Sequence, residues 1–399
     1  MFIGISWRIA RILILLPVAF PTLELVQGAE PMTKKLSQRP RCRDIGITIG
    51  ILSPGPLNAI TDVQGVLVGQ TTLTAGTDQR TGVTTVIPHA DNVFQNKVPA
   101  ALAVGNGFGK FVGSTQIMEL GQLETPIALT NTLSTFAVAD ALVSYVLEHP
   151  DNANVRSVNP VVGECNDGYL NDIRGRHVHA QHVFQALRSA RGGPVDEGSV
   201  GAGTGTRCFG WKGGIGTSSR RLTSTSGVYT VGILAQTNFG GVLNIGGAPV
   251  GRELGRHILR DAAQPPERGS CILVVATDAP VDSRQLQRLA RRALLGLAEV
   301  GSPMTHGSGD YAIAFSNHPQ TRHQHGAPEV EAHIPRMRDA ALTPLFQAAK
   351  EATAEAVINS LLRATTVTGY RGRVADAISV DDVLRICRKY GVITDKPSP

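Results

Sequence analysis

The sequence predicts an α+β fold built on buried sheets, and three observations carry that expectation. Hydrophobic residues make up 42% of the 399 positions and charged residues only 18%, which excludes a disordered chain and a charged coiled coil. From Arg43 onward, short apolar or alternating runs are punctuated by Gly, Pro and Asn, and several are apolar on both faces, as strands are in a sheet covered on both sides. Longer amphipathic segments lie between them. The 44 glycines exceed the roughly 7% of average usage without a collagen-like period, which implies many tight turns.

Residues 1–28 read as a secretory signal. Arg8 and Arg11 precede the apolar run Ile12 to Phe20, too short to span a bilayer, and the small residues Val26 and Gly28 suit a cleavage site. A periplasmic or secreted protein is expected if that signal is used; a start at Met32 would leave the chain cytoplasmic. Strands are expected at Gly65 to Val68, Val83 to Ile87 and Ala100 to Val104, followed by helices over Ser134 to His149 and Val178 to Ala190. Strands resume at Val228 to Ala235 and Cys271 to Ala276. The helix from Ser283 lines up Leu286, Leu289, Ala290, Ala293, Leu294 and Leu297, with Arg284, Arg288 and Arg291 largely off that stripe on a face read as solvated. Tyr311 to Phe315 is a further strand, and residues 318–335, rich in His, Pro and Gln, read as a long exposed loop. Thr343 as N-cap with Pro344 at the first helical position opens one more helix. Ser379, with Asp382 three residues on, Lys389 near the end and Gly391 as terminator, frames the last. No internal repeat or linker divides the chain.

Several function classes are disfavoured. The net charge of +6 is spread without a dense Lys/Arg run, and aromatic residues are only 5%, so neither nucleic acid nor a membrane surface is expected as partner. Five widely spaced cysteines without a CxxC do not suggest a disulfide framework or structural zinc. The histidines show no HExxH spacing, so no metal is expected. "GNGFGK" (Gly105 to Lys110) and "GAGTG" (Gly201 to Gly205) fit neither the P-loop nor GxGxxG, and read as tight turns lining a pocket. His306 lacks a G-x-S-x-G elbow and reads as a loop or supporting group, not part of a triad.

The segment richest in chemistry is "RGSCILVVATDAP", Arg268 to Pro280. A hydroxyl residue directly after glycine, opening an apolar strand, is the arrangement of N-terminal nucleophile enzymes that cut themselves. Gly269 leaves its carbonyl unshielded and tolerates a strained backbone. The Ser270 hydroxyl can attack that carbonyl, and hydrolysis of the resulting ester frees a chain beginning with Ser270. Its new α-amine, with a reference pKa of about 7.7 to 8.0, can take the proton from the neighbouring hydroxyl.

Blocks elsewhere support this. "GPLNAITDVQGVLVGQ" (Gly55 to Gln70), "RTGVTTVIPH" (Arg80 to His89), "GNGFGK", "PIALTNTLS" (Pro126 to Ser134), "GECNDGYLNDIRG" (Gly163 to Gly175), "VGAGTGTRCFGWKGGIGTSSR" (Val200 to Arg220), "GSCILVVATDAP" and "HGSGDYAIAFS" (His306 to Ser316) occur in that order. With them, from about Arg43 to Val392, the sequence resembles the L-aminopeptidase/D-esterases and β-aminopeptidases, the DmpA-like self-processing serine peptidases. The resemblance implies a four-layer αββα sandwich, like that of Ntn-hydrolases but with different strand connectivity. It implies a single domain over residues 29–399, cut between Gly269 and Ser270 into an α chain (29–269) and a β chain (270–399). It also implies assembly of the αβ units into a homo-oligomer, commonly a tetramer, and small peptides, amides or esters as substrates, with no metal or organic cofactor.

Residue by residue, Ser270 matches the nucleophile, Ser308 and Asp310 the pair that orients and tunes it, and Asn238 in "QTNFG" the side-chain oxyanion donor. Glu164 matches the carboxylate near the substrate's free amine, with Asn166 beside it in the substrate-binding part. The sequence departs from the family pattern at four places. Cys165 stands where Thr is common, Cys271 where an aliphatic residue is usual, Asn166 where some members have Tyr, and Asp310 is one methylene shorter than the Glu of the β-peptide-cleaving branch. Cys271 reads as a small strand hydrophobe, with a reactive thiol as the alternative. Two other readings stay open. One is an acyltransferase resembling ornithine acetyltransferase, against which Ser270 counts because that family uses Thr. The other is a binding or scaffold protein that keeps the fold without processing.

Overall fold

Along the strand Ser270–Thr277 every residue is buried, yet alternate residues enter different cores: Cys271, Leu273 and Val275 one, Ile272, Val274 and Ala276 another. A strand buried on both faces needs a packed layer on each side, and the rest of the chain supplies them. The computed structural model describes Met1 and residues 39–224, 227–260, 269–326 and 334–393. The signal expected over residues 1–28, the Met32 start and Arg268 lie outside the described residues.

In chain order the elements are β1 (Leu67–Ala75), β2 (Gln79–Ile87), β3 (Asn96–Gly107), β4 (Phe111–Val112), α1 (Ser114–Leu120), β5 (Gln122–Leu123), β6 (Ile127–Asn131), α2 (Thr135–Leu147), β7 (Val161–Cys165), α3 (Ala180–Ser189), β8 (Arg207–Cys208), β9 (Trp211–Lys212), β10 (Gly214–Ser224), β11 (Gly227–Asn238), α4 (Val250–Glu253), β12 (Ser270–Thr277), α5 (Ser283–Glu299), β13 (Gly309–Ser316), β14 (His323–Gln324), α6 (Thr343–Arg363), β15 (Val367–Thr368), β16 (Val374–Ala375) and α7 (Val380–Lys389). One sheet runs β1-β2-β6-β7-β4, the other β10-β11-β12-β13-β3-β14 with β5 beside β3. β6 and β7 pair in parallel, as do β12 and β13, and each pair is joined through a helix, α2 and α5, because parallel neighbours need a crossover.

Three cores separate four layers. Val83, Ala128 and Val162 of the first sheet pack on Val138 and Leu142 of α2 and on Val183 and Leu187 of α3. Val86, Leu129 and Cys165 meet Ile215, Leu234, Ile272 and Ile313 between the sheets. Ile233, Leu273 and Ala312 pack on Leu286, Leu289 and Ala293 of α5 and on Ala349, Ala352 and Ala356 of α6. The result is the expected αββα order. Among the described residues no helix is long and apolar enough to cross a membrane.

The structure corrects several details. The strand expected from Gly65 begins at Leu67, since Gly65, at φ +90°, turns the chain into it. Thr343 is already helical and caps nothing; Leu342 is the N-cap of α6, and Pro344 is its second residue, one place later than expected. Asp282 caps α5 by accepting from the Gln285 N–H at 2.8 Å, while Ser379 caps α7 as read. The arginine face of α5 is only partly solvated, because Arg284 and Arg288 pair with Asp339 and the Arg292 guanidinium stacks on Phe346. The segment 318–335 is not wholly loop: His323 and Gln324 pair with Lys97 and Asn96 at the edge of β3. Residues 327–333 lie outside the described residues.

Candidate active site

Three strand ends meet at Ser270. It is the first residue of β12, in register with Asn238, the last of β11, and with Gly309, the first of β13. Strand ends are where a rigid sheet can present side chains to a cavity, and Ser270 shares the alternation of Ile272, so it faces the gap between the sheets. Just before it, a Cβ on Gly269 would lie 2.8 Å from Phe239 Cα and 3.0 Å from the Asn238 carbonyl oxygen, so only glycine passes. The Gly309 N–H donates to the Gly269 carbonyl at 3.3 Å.

Asn238 is held from both ends of its amide. Its Oδ1 accepts from the Arg207 backbone N–H at 3.0 Å, which fixes the flip, and its Nδ2 then points at Ser270 Oγ, 3.3 Å away. Arg207 sits on the short β8–β9 hairpin. Lys212, on the same hairpin, is fully buried and donates Nζ to the carbonyls of Gly203 and Gly213 at 2.8 Å each. Burial brings its ammonium down to about 7.

Behind Ser270 lies a buried hydroxyl and carboxyl pair. Ser308 is buried, and Asp310, in register with Cys271, is fully buried. Neither Ser308 Oγ nor either Asp310 carboxylate oxygen makes a hydrogen bond of ordinary geometry. Burial pushes the Asp310 carboxyl up to about 6, and the nearby Ser308 hydroxyl offsets part of that rise. The loop before β13 is pinned by Asn106, whose Nδ2 donates to the carbonyls of Thr305 and His306 at 3.0 Å each and also to that of Ser308. His306 itself is exposed, its ring 6.1 Å from that of Phe108.

Glu164, near the end of β7, is buried at 4% exposure and fixed by two donors: the Lys110 backbone N–H to Oε1 at 3.0 Å and the Thr132 hydroxyl to Oε2. Ser270, Asn238, Glu164 and Asn166 share one cavity of about 300 Å³, also lined by Phe108, Lys110, Thr132, Tyr169 and Arg207. That volume is at the low end for small-molecule sites, which suits one residue and a leaving group. Asn166 Oδ1 accepts from the Gly168 N–H at 3.0 Å, closing the turn that carries Tyr169. The Arg207 guanidinium lies 4.1 Å from the Tyr169 ring centre.

Of the sequence-predicted residues, Ser270, Gly269, Asn238, Glu164 and Asn166 therefore come together at the cavity, while Ser308 and Asp310 stand behind it without lining it. "GNGFGK" does line the pocket, through Phe108 and Lys110. "GAGTG" does not: Gly201–Gly203 is buried, donating its N–H groups to Thr72 and Thr84. Cys165 and Cys271 are fully buried, and burial holds both thiols well above their ordinary range; Ser270 works in the opposite sense on Cys165. Cys271 is thus a strand hydrophobe. Among the described residues, no three His, Cys, Asp or Glu side chains are grouped to hold a metal ion.

Sequence reasoning missed Thr132, Asn106 and the backbone donors of Arg207, Gly309 and Lys110. All five residues lie inside quoted blocks. The backbone groups have no sequence signature.

Chemically, the arrangement offers a hydroxyl with an amide donor beside it, a fixed carboxylate on the same cavity and a buried carboxyl behind. Residues 58–375 match the peptidase family S58. The chain is 38% identical over 379 residues to the β-peptidyl aminopeptidase BapA of Sphingosinicella microcystinivorans, covering 89% of this chain and 93% of that protein. Among solved structures, a β-aminopeptidase from Burkholderia sp. superposes with a TM-score of 0.81 at 40% identity, covering 90% of this chain and 100% of that one. The L-aminopeptidase D-Ala-esterase/amidase of Ochrobactrum anthropi, described as a variant of the Ntn hydrolase fold, gives 0.81 at 34% identity, covering 89% and 100%. On these matches, and on a four-layer fold with a serine at the head of a central strand, the chain belongs to peptidase family S58.

Proposed function

We propose that this protein is a self-processing serine aminopeptidase that removes N-terminal residues from small peptides, amides or esters through an acyl-Ser270 intermediate. The observation that carries the reading is that the Ser270 hydroxyl, directly after Gly269, opens on the same small cavity as the Asn238 amide and the Glu164 carboxylate. The names of the relatives, aminopeptidases of β-peptides and of L-residues, support it.

In the first step Ser270 Oγ adds to the Gly269 carbonyl carbon, whose oxygen already accepts from the Gly309 N–H. The Gly269–Ser270 C–N bond breaks, the Ser270 nitrogen leaves as a free amine, and water hydrolyses the ester to give residues 29–269 and 270–399. The new amine forms one residue from Asp310 across the β12–β13 pairing, where that unpartnered carboxylate can steady the ammonium that arises when the amine takes up a proton. In turnover the α-amine takes the Ser270 proton as Oγ attacks the substrate carbonyl. Asn238 Nδ2 donates to the oxygen that becomes negative. Glu164 receives the substrate ammonium, which a buried site accepts only with a paired carboxylate. The amine then protonates the leaving group, and water releases the acyl residue.

A homo-oligomer of αβ units, a tetramer by preference, completes the proposal, with export if residues 1–28 act as a signal. The test is mass spectrometry of the purified protein under denaturing conditions. Two fragments, the second beginning at Ser270, are expected, and the first fragment's N-terminus reports on the signal. Ser270→Ala should remain one chain without activity. A Ser270→Ala protein that still splits after Gly269 overturns the proposal.

A further inference from the structure

The cavity holds two charges of opposite sign side by side, and the aminopeptidase reading uses only one. Lys110 Nζ stands 3.9 Å from Glu164 Oε1, with its side chain 49% exposed on the cavity wall. That separation is too long for a hydrogen bond and short enough for an ion pair, so the ammonium is near Glu164 without being consumed by it. Glu164 also keeps accepting capacity. Oε1 receives the Lys110 backbone N–H and Oε2 the Thr132 hydroxyl, which leaves a lone-pair position on each oxygen.

A substrate ammonium that docks on Glu164 therefore lands beside a second ammonium, and like charges a few ångströms apart repel. A neutral N-terminal residue bears that repulsion uncompensated. A residue with a carboxylate on the same carbon as its amine does not, because its ammonium faces Glu164, its carboxylate faces Lys110 and the four charges alternate. In a β-peptide, the class for which two of the relatives are named, the N-terminal residue carries its amine on the carbon β to the scissile carbonyl. A carboxylate added to that carbon gives the β-aspartyl, or isoaspartyl, residue.

We propose, building on the aminopeptidase reading above, that Lys110 and Glu164 form a zwitterion-recognising subsite, that Lys110 is a specificity-determining residue, and that N-terminal β-aspartyl amides are substrates. The hydrolysis is the same: the amide C–N bond breaks, water supplies hydroxyl and proton, and free aspartate is released. Truncating Lys110 removes its ammonium but keeps the backbone N–H that holds Glu164, so the variant's effect on two substrates should have opposite signs.

The experiment compares β-aspartyl and β-alanyl p-nitroanilides with the mature wild-type enzyme, Lys110→Met and Lys110→Arg. In Lys110→Met, kcat/KM for the β-aspartyl amide should fall by about tenfold, the scale of a lost charge-assisted hydrogen bond, while that for the β-alanyl amide rises. Lys110→Arg should restore the β-aspartyl rate. Self-cleavage into two chains verifies that each variant is folded. A wild-type enzyme that cleaves the β-alanyl but not the β-aspartyl amide overturns the inference, as does a Lys110→Met enzyme that loses both rates alike. A mature wild-type enzyme that cleaves neither but still cleaves L-alanyl p-nitroanilide also overturns the inference, whereas one that cleaves none of the three overturns the aminopeptidase reading itself.

Discussion

Asn238 and Ser270 face each other across the last rung between β11 and β12, with the amide Nδ2 3.3 Å from the hydroxyl Oγ and the amide's other end tied to the Arg207 N–H. A donor fixed in this way needs no reorganisation when negative charge develops beside the proposed nucleophile, which is the condition under which it lowers a barrier most. Replacing it by alanine should lower kcat by about 10²- to 10³-fold with a smaller change in KM, the magnitude of one lost oxyanion donor. Steady-state kinetics on a cleaved Asn238→Ala preparation measures this. A loss confined to KM would assign Asn238 to substrate binding instead.

Gly269 is the second constraint on the proposed cleavage point. With a Cβ at 2.8 Å from Phe239 Cα, Gly269→Ala must shift the scissile carbonyl away from the Gly309 donor. Self-cleavage should slow by about a hundredfold, as misplacements of this order do. A time course on denaturing gels reads the rate directly, and cleavage at the wild-type pace would mean that the backbone here yields without cost.

Asp310 makes the uncleaved chain sensitive to pH. Burial raises its carboxyl to about 6 in the folded precursor, whereas an unfolded aspartate titrates near 3.9. The folded state therefore holds the proton more tightly, so this group's contribution to stability is full below about pH 4 and is lost as pH rises through about 6, up to roughly 2 to 3 kcal/mol. Urea titrations of Ser270→Ala and of Ser270→Ala/Asp310→Asn at pH 4 and pH 7 should show the single variant losing stability relative to the double one as pH rises. Parallel behaviour of the two would place the titration elsewhere.

Arg220 tests the support beneath β10 and β11. It is fully buried, with Nε 3.1 Å from Glu351, one terminal nitrogen 2.8 Å from Glu355 and 2.7 Å from the Ile49 carbonyl, and the other 2.8 Å from the Ser219 carbonyl. Removing one partner of a buried ion cluster leaves the others uncompensated, so Arg220→Met should cost about 3 to 5 kcal/mol by urea unfolding. A cost below about 1 kcal/mol would show that water takes the guanidinium's place.

Hydrophobic runs such as Cys271 to Ala276 were legible because strands covered on both faces must be apolar throughout, and the α5 stripe because its spacing repeats with the helix. β10 was not legible. Its buried positions carry Thr217, Ser218, Ser219 and Arg220, which satisfy their polar groups through partners such as Ile233, Ala352, Asp62 and Glu355 that only the fold brings near. The site divides in the same way. A glycine followed by a hydroxyl residue and an apolar strand marks Ser270 locally, and the ordered blocks mark Glu164 and Asn238 by resemblance.

The sequence by itself determined the alternation of buried strands and amphipathic helices and the family, and singled out Ser270 as the candidate, because periodicity and ordered motifs are properties of the chain read in one dimension. Only the tertiary structure decided what surrounds that serine: the Gly309 N–H on the Gly269 carbonyl, the Arg207 N–H that orients Asn238, and Lys110 beside Glu164. The physical reason is that backbone donors are the same in every residue, and charges far apart in the chain acquire a distance only when strands pair and sheets stack.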